Sequence, residues 1–137
     1  MMTPKTIVDQ MYTNDAFSQW LGITVEKVEQ GFAQISMVVT GDMLNGFEIA
    51  HGGITYSLAD SAFAFASNSQ GKHTVSIETS ISHTKAVSEG DRLTAIAKEE
   101  NLSNRLGIYS TTVTNQDNEV VALFKGTVFR KDTHWSE

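Results

Sequence analysis

Hydrophobic and polar residues alternate along most of the second half of the chain, which is typical of strands with one buried face. The pattern predicts four strands, at residues 75–84, 93–100, 106–114 and 120–130. Short polar turns separate them, at residues 89–91, 101–104 and 115–118. Because short turns join antiparallel neighbours, we expect each of these strands to pair with the next one along the chain.

The first half of the chain is mixed. Alternation over residues 33–39 favours a further strand, and two short helical turns are predicted before it, at residues 6–11 and 16–21. These turns are expected to bury four large apolar side chains, those of Ile7, Met11, Phe17 and Trp20.

A long helix is predicted over residues 54–69, which contain neither glycine nor proline. Its apolar stripe repeats every three or four residues and consists of Ile54, Leu58, Ala62, Phe65 and Ala66. One apolar helix and an antiparallel sheet have to cover each other, which indicates an α+β fold with the sheet around the helix. Periodicity alone is equally compatible with other α+β folds.

The composition of the chain excludes several classes of site and partner. A chain of 137 residues, 40% of them hydrophobic, is the size of one domain, here residues 1–137. The absence of cysteine excludes disulfides, thiolate zinc sites and a cysteine nucleophile. A net charge of −6 argues against nucleic-acid binding, and no apolar run approaches the length of a membrane helix. We therefore expect a cytoplasmic protein with neither nucleic-acid nor membrane partners.

The segment that enters the long helix contains the candidate chemistry. Gly52 and Gly53 follow His51 at the point where the first backbone N–H groups of a helix lack internal partners. Such an N–H can polarise a carbonyl group and hold the oxyanion that forms when the carbonyl is attacked. The alternative is a glycine pair that only turns the chain.

Asp60 is a carboxylate within the apolar part of the long helix. Burial there is unfavourable unless the group is paired or used, and it would raise the pKa towards that of a general base. Alternatively, Asp60 faces solvent or caps a neighbouring loop. Gly53 and Asp60 are seven residues apart, so they share a helix face but lie about 10 Å apart along the axis. If both act on one carbonyl, they must come from two subunits.

The remaining candidates are less specific. Asn45 either donates a hydrogen bond to a carbonyl or builds an Asn-Gly turn, and His51 acts as an acid or holds the loop locally. The histidines at 51, 73 and 83 lack the short spacing of metal ligands, so no metal is expected. No nucleophile elbow, phosphate-binding loop or dinucleotide-binding motif is present.

The motif N-G-x4-H-G-G-x6-D, within residues 43–71, resembles the PaaI-like group of hotdog acyl-CoA thioesterases from phenylacetic acid degradation. The similarity extends to residues 11–23 and 115–131. The resemblance implies a hotdog fold, assembly as a homodimer and further as a homotetramer, and hydrolysis of an aromatic acyl-CoA such as phenylacetyl-CoA. It implies no cofactor.

The resemblance also implies residue roles. The amide of Gly52 polarises the thioester carbonyl, with Asn45 and His51 in the same pocket. Asp60 from the second subunit activates water or attacks directly.

Three residues are implied on the substrate-binding side. Gly53 lies beside the polarising amide, Ser76 corresponds to a water-positioning serine of some relatives, and Lys85 supplies charge for a coenzyme A phosphate. Relatives often have Arg-Pro-Gly where this chain has Lys85-Ala86-Val87, so the rigid turn is missing.

Three other functions are compatible with these residues. A non-catalytic acyl-CoA sensor on the same fold would need the pocket but not Asp60. An acyl dehydratase would align His51 with Asp60 over the β-carbon of its substrate. A structural protein would leave Asp60 without a purpose.

Overall fold

The computed structural model describes residues 2–137. Three α-helices, one short 3-10 turn and six strands follow one another along the chain. The helices and the turn are α1 (Pro4–Thr13), α2 (Ala16–Trp20), the 3-10 turn (Gly41–Met43) and α3 (Gly52–Asn68). The strands are β1 (Thr24–Glu29), β2 (Phe32–Val38), β3 (Lys72–His83), β4 (Arg92–Leu102), β5 (Leu106–Thr114) and β6 (Val120–His134).

The strands form one antiparallel sheet in the order β1-β2-β4-β5-β6-β3. The predicted pairing of β4 with β5 and of β5 with β6 is confirmed. The predicted pairing of β3 with β4 is wrong, because β3 pairs with β6 at the sheet edge, from Lys72↔His134 to His83↔Ala122.

The connection after β3 explains this difference. The backbone of Thr84 still follows β6, with its N–H donating to Val121 O at 2.9 Å. The chain then crosses the end of the sheet, where Val87 is buried and its carbonyl accepts from the N–H of Ala50 at 2.7 Å. The polar turn at residues 89–91 therefore ends a crossing and does not form a hairpin.

Helix α3 contacts all six strands, so the sheet wraps around it as expected for the hotdog arrangement. The predicted apolar stripe is buried in full. Alanines on the sheet, among them Ala33, Ala95 and Ala97, have no exposed surface and let the strands approach the helix closely. The helix begins at Gly52, two residues before the predicted start, because His51 provides its N-cap.

The predicted N-terminal helices are present, but burial of Phe17 and Trp20 was predicted wrongly. Ile7 is buried, whereas the side chains of Phe17 and Trp20 are 51% and 52% exposed. Helix α2 has only five residues, and the one that it buries is Ser18. Ser18 therefore makes the buried contact of α2, and about half of each aromatic side chain remains accessible.

Within residues 2–137, no helix is both long and apolar enough to cross a bilayer.

Candidate active site

The N-terminus of α3 presents one backbone donor without a protein acceptor. The ring of His51, the N-cap residue, accepts the N–H of Gly53 through Nδ1 at 3.0 Å. The carbonyl of His51 accepts the N–H of Ile54 at 2.9 Å. The N–H of Gly52 has no acceptor within residues 2–137. The geometry thus distinguishes two glycines that look equivalent in sequence, and it leaves Gly52 able to bind a ligand oxygen.

A cavity of about 390 Å³ opens beside Gly52. Its walls are Asn45, Ile49, Ala50, Gly52, Thr55, His83, Thr84, Lys85, Ala86 and Val87. The structure therefore brings together three of the candidate residues, Asn45, Gly52 and Lys85. A carbonyl group bound at Gly52 would lie in this cavity.

Asn45 builds the turn that was one of the two roles considered for it, and its amide group stays available. Its Oδ1 accepts the N–H groups of Phe47 at 2.9 Å and Ile49 at 3.4 Å, which fixes the turn. Because only the oxygen of the amide can accept, Nδ2 is the free end. Nδ2 forms no hydrogen bond within residues 2–137, and Asn45 lines the cavity. The turn thereby holds a second donor near Gly52.

His83 is a site residue that the sequence analysis considered only as a metal ligand. It ends β3, and a Cβ placed on Gly52 would lie 3.2 Å from its Nε2 atom. The imidazole therefore packs directly against the backbone that carries the free N–H. A side chain at residue 52 would have to push the ring of His83 aside by a few tenths of an ångström.

Lys85 lies at the rim of the same cavity and is not a free charge. Its Nζ pairs with Glu119 Oε2 at 3.0 Å, and both side chains are about half exposed, at 48% and 45%. An exposed pair of this kind contributes little to stability, so Lys85 can exchange Glu119 for a ligand phosphate at small cost.

Asp60 is partly buried on α3 and is not paired. Burial raises the pKa of its carboxyl group, and the nearby Asp15 carboxylate raises it further. The side chain of Asp60 forms no hydrogen bond or ion pair within residues 2–137. A partly buried carboxyl group with a raised pKa and no structural partner is typical of a functional group.

The other candidates lie outside the Gly52 cavity. His51 and Gly53 line a second cavity, of about 410 Å³, on another side of α3. Neither Asp60 nor Ser76 lines the Gly52 cavity within one chain. Ser76 lies on β3 between two residues that are hydrogen-bonded to α3, Thr74 to Ser67 and Thr79 to Tyr56. The part of β3 that contains Ser76 therefore runs beside the part of α3 that contains Asp60.

In the part of the chain that the structure describes, no group of three or more histidine or carboxylate side chains is arranged to hold a metal ion.

A sequence model of the thioesterase superfamily matches residues 47–122, more than half of the chain and both the Gly52 region and Asp60. The chain belongs to the thioesterase superfamily. This thioesterase is 46% identical over 124 residues to a putative esterase of Archaeoglobus fulgidus. The aligned residues make up 90% of the chain and 80% of that protein. It is 43% identical over 116 residues to the acyl-coenzyme A thioesterase PaaI of Escherichia coli, covering 85% of the chain and 83% of that protein.

Solved structures that resemble the chain include a PaaI protein and a hypothetical thioesterase. The PaaI protein from the phenylacetic acid degradation operon of E. coli superposes with a TM-score of 0.94 at 38% identity, covering 97% of this chain and 96% of that one. A hypothetical thioesterase of Streptococcus pneumoniae with coenzyme A gives a TM-score of 0.86 at 25% identity, covering 92% and 98%. The predicted hotdog α+β fold and the PaaI-like assignment are confirmed.

The prediction of an enzyme is also confirmed: the chain is a PaaI-like thioester hydrolase. The non-catalytic sensor, the dehydratase and the structural protein have no support from these relatives.

Proposed function

We propose that this thioesterase hydrolyses acyl-CoA thioesters whose acyl group is aromatic, of the phenylacetyl type. The observation that carries the proposal is the Gly52 N–H, which has no protein acceptor and opens into a cavity with Asn45 inside it and Lys85 at its rim. The E. coli relative is named an acyl-coenzyme A thioesterase. The solved E. coli structure is that of the PaaI protein from the phenylacetic acid degradation operon. The S. pneumoniae structure contains coenzyme A.

In the proposed reaction, the thioester carbonyl oxygen accepts hydrogen bonds from the Gly52 N–H and from Asn45 Nδ2. Both donors, and the positive end of the α3 dipole, stabilise the negative charge that develops on this oxygen during attack. Asp60 takes a proton from water, and the resulting hydroxide attacks the carbonyl carbon. The tetrahedral intermediate then expels the coenzyme A thiolate and leaves the free acid. Direct attack by the carboxylate of Asp60 is the alternative first step.

We propose that the two halves of the site come from two subunits of a homodimer. Asp60 lies eight residues after Gly52 on the same helix, so about 12 Å along the axis separates them. One carbonyl carbon cannot meet both within a chain. The homotetramer, as an assembly of two such dimers, stays a prediction.

The surface beside Asp60 is suited to a second copy of the chain. Strand β3 is an edge strand with one unpaired side, and it exposes Val75 and Ile77, which are 42% and 56% accessible. A long edge strand with exposed apolar residues is normally covered. If β3 and the adjacent face of α3 meet their copies across a two-fold axis, Asp60 of the partner subunit faces Gly52.

Three further residues have proposed roles in the site. Ser76 would help to position the attacking water, because its part of β3 runs beside Asp60 of the same chain. His51 occupies the Gly53 amide and so leaves the Gly52 amide as the free donor. Lys85 would bind a phosphate of coenzyme A, since its ion pair with Glu119 is exposed and replaceable.

The test follows release of free coenzyme A from phenylacetyl-, benzoyl-, acetyl- and palmitoyl-CoA. We expect the aromatic thioesters to give the highest kcat/KM. Asp60→Asn should reduce kcat by about 10²- to 10⁴-fold, the usual range for loss of a general base. Asp117→Asn, which changes an exposed carboxylate in a turn, is the matched control and should be unaffected. Near-normal kcat in Asp60→Asn contradicts the mechanism, and a higher kcat/KM for palmitoyl-CoA contradicts the substrate class.

A further inference from the structure

Helix α2 exposes a pair of stacked aromatic side chains. The ring centroids of Phe17 and Trp20 are 5.9 Å apart and their planes differ by 22°. About half of each side chain is accessible. Single exposed apolar residues are common in proteins, but an adjoining pair of large aromatic rings is typical of a surface that binds something.

These rings form one wall of the second cavity, of about 410 Å³. Apolar side chains from the loop before α3 and from α3 itself form other walls, namely Met43, Leu44 and Ile54, and the polar side chains of Asp42 and His51 also line the cavity. Gly53 and Ser57 line the cavity where it meets α3. Because Gly53 follows Gly52 directly, the cavity adjoins the free amide, on a different side of the helix from the Lys85 cavity.

Helix α2 is held in place beside Asp60 by hydrogen bonds. Asp15 accepts from the N–H of Ser18 at 2.9 Å and from its hydroxyl group at 2.6 Å. The hydroxyl oxygen of Ser18 is also 2.8 Å from that of Ser61, the residue that follows Asp60. These contacts fix the aromatic pair against α3 of its own chain, at Ser61.

We infer that the second cavity binds the acyl group of the substrate, and that Phe17 and Trp20 select acyl groups that carry an aromatic ring. This inference rests on the proposed function. A thioester held at the Gly52 amide would extend its coenzyme A part past Lys85 in the first cavity and its acyl part into the second. The volume lies within the range of small-molecule sites, and aromatic walls favour a ring by stacking or edge-to-face contact.

The kinetic test compares two substrates that differ in the ring. In Trp20→Ala and in Phe17→Ala, we expect kcat/KM for phenylacetyl-CoA to fall about 10- to 100-fold, the usual range for lost complementarity in an apolar pocket. For acetyl-CoA, which has no ring, it should change by less than about threefold. Leu123→Ala is the matched control, because Leu123 is equally exposed, at 50%, and lines neither cavity.

A binding measurement gives a readout that does not depend on catalysis. The chain has two tryptophans, so Trp135→Phe leaves Trp20 as the only one. Titration of this variant with a thioether analogue of phenylacetyl-CoA, which cannot be hydrolysed, should change the emission of Trp20. Coenzyme A alone should bind to this variant without changing the emission of Trp20.

The outcomes separate the two proposals. An equal loss of kcat/KM on both substrates, or an unchanged Trp20 emission at saturating analogue, overturns the acyl-pocket inference. Dissociation of the assembly in Trp20→Ala, measured by analytical ultracentrifugation, also overturns it, because the pair would then lie between copies of the chain. Full activity of Asp60→Asn would instead refute the proposed mechanism, and the emission of Trp20 would still test the pocket.

Discussion

At the scale of single residues, the protonation of Asp60 governs the predicted pH dependence. Burial and the Asp15 carboxylate raise the pKa of Asp60, and the proposed mechanism needs its ionised form. We therefore expect the acid limb of kcat/KM to lie above the pH range of an ordinary carboxyl group. Asp15→Asn should move this limb to lower pH, because it removes a like charge but keeps an oxygen for the N–H of Ser18.

The measurement is a pH–rate profile of both proteins with phenylacetyl-CoA. Asp9→Asn serves as the control, since Asp9 is exposed and pairs with Lys5 on α1. An acid limb that stays in place in Asp15→Asn would contradict the electrostatic link between Asp15 and Asp60.

The same carboxyl group has a predicted effect on stability. A folded-state pKa above the unfolded-state value means that the stability contributed by the protonated group is present at acidic pH and is lost as the pH rises through the folded pKa. Ionised Asp60 is thus unfavourable to the fold at neutral pH. We expect Asp60→Asn to have an unchanged or higher Tm at pH 7 by calorimetry, despite its loss of activity. A clearly lower Tm would mean that the carboxylate stabilises the fold.

The sequence singles out Asp60 and the two glycines as candidates, because a carboxylate in an apolar helix and a glycine pair at a helix entry are local signals, and their catalytic roles stay predictions. It was not sufficient to distinguish Gly52 from Gly53. That difference depends on the ring of His51, which turns back to accept one amide and leaves the other free. The role of His83 was also beyond local pattern, since it depends on how β3 lies against the start of α3.

At the scale of elements, the contact between α3 and β6 depends on a glycine. A Cβ on Gly126 would lie 2.6 to 2.9 Å from ring atoms of Phe63, which is closer than real contacts allow. We expect Gly126→Ala to lower the free energy of unfolding by about 1–3 kcal/mol, as for overpacked cores. Urea unfolding measures this, with Gly46→Ala as the control because its Cβ would meet no atom within 4 Å. Equal stability of the two variants would show that Phe63 moves aside freely.

The elements themselves were predicted with unequal success, for physical reasons. The stripe on α3 follows from helical periodicity, which is local, and every predicted member is buried. The partner of β3 is not local information: a short polar turn after a strand is compatible with a hairpin or with a crossing, and tertiary packing of Val87 decides for the crossing. Likewise, about half of each aromatic side chain of α2 remains accessible, because Ser18 makes the buried contact with α3.

At the scale of the whole molecule, the shared site predicts that two inactive variants complement each other. Asp60→Ala and Gly52→Val should each inactivate both sites of a homodimer. After mixing and refolding, half of randomly paired dimers combine the two variants, and each of these has one intact site. We expect activity to return to about a quarter of the wild-type value per chain.

Native mass spectrometry of chains with different tags verifies that subunits have exchanged. Each variant refolded alone is the control and should remain inactive. A mixture that exchanges subunits but stays inactive would show that Gly52 and Asp60 act within one chain.

The strand order also has a consequence for biosynthesis. Strand β3 leaves the ribosome well before β6, its only partner in the sheet, because residues 84–119 lie between them. During that interval β3 has no neighbour on either side, and one flank of α3 is uncovered. The pairing of β3 with β6 therefore forms late, because a long stretch of chain has to fold back first. Such non-local pairing is slow, and it leaves the apolar residues of β3 exposed to aggregation in the meantime. Nascent chains halted before residue 120 should accordingly be protease-sensitive and natural clients of chaperones.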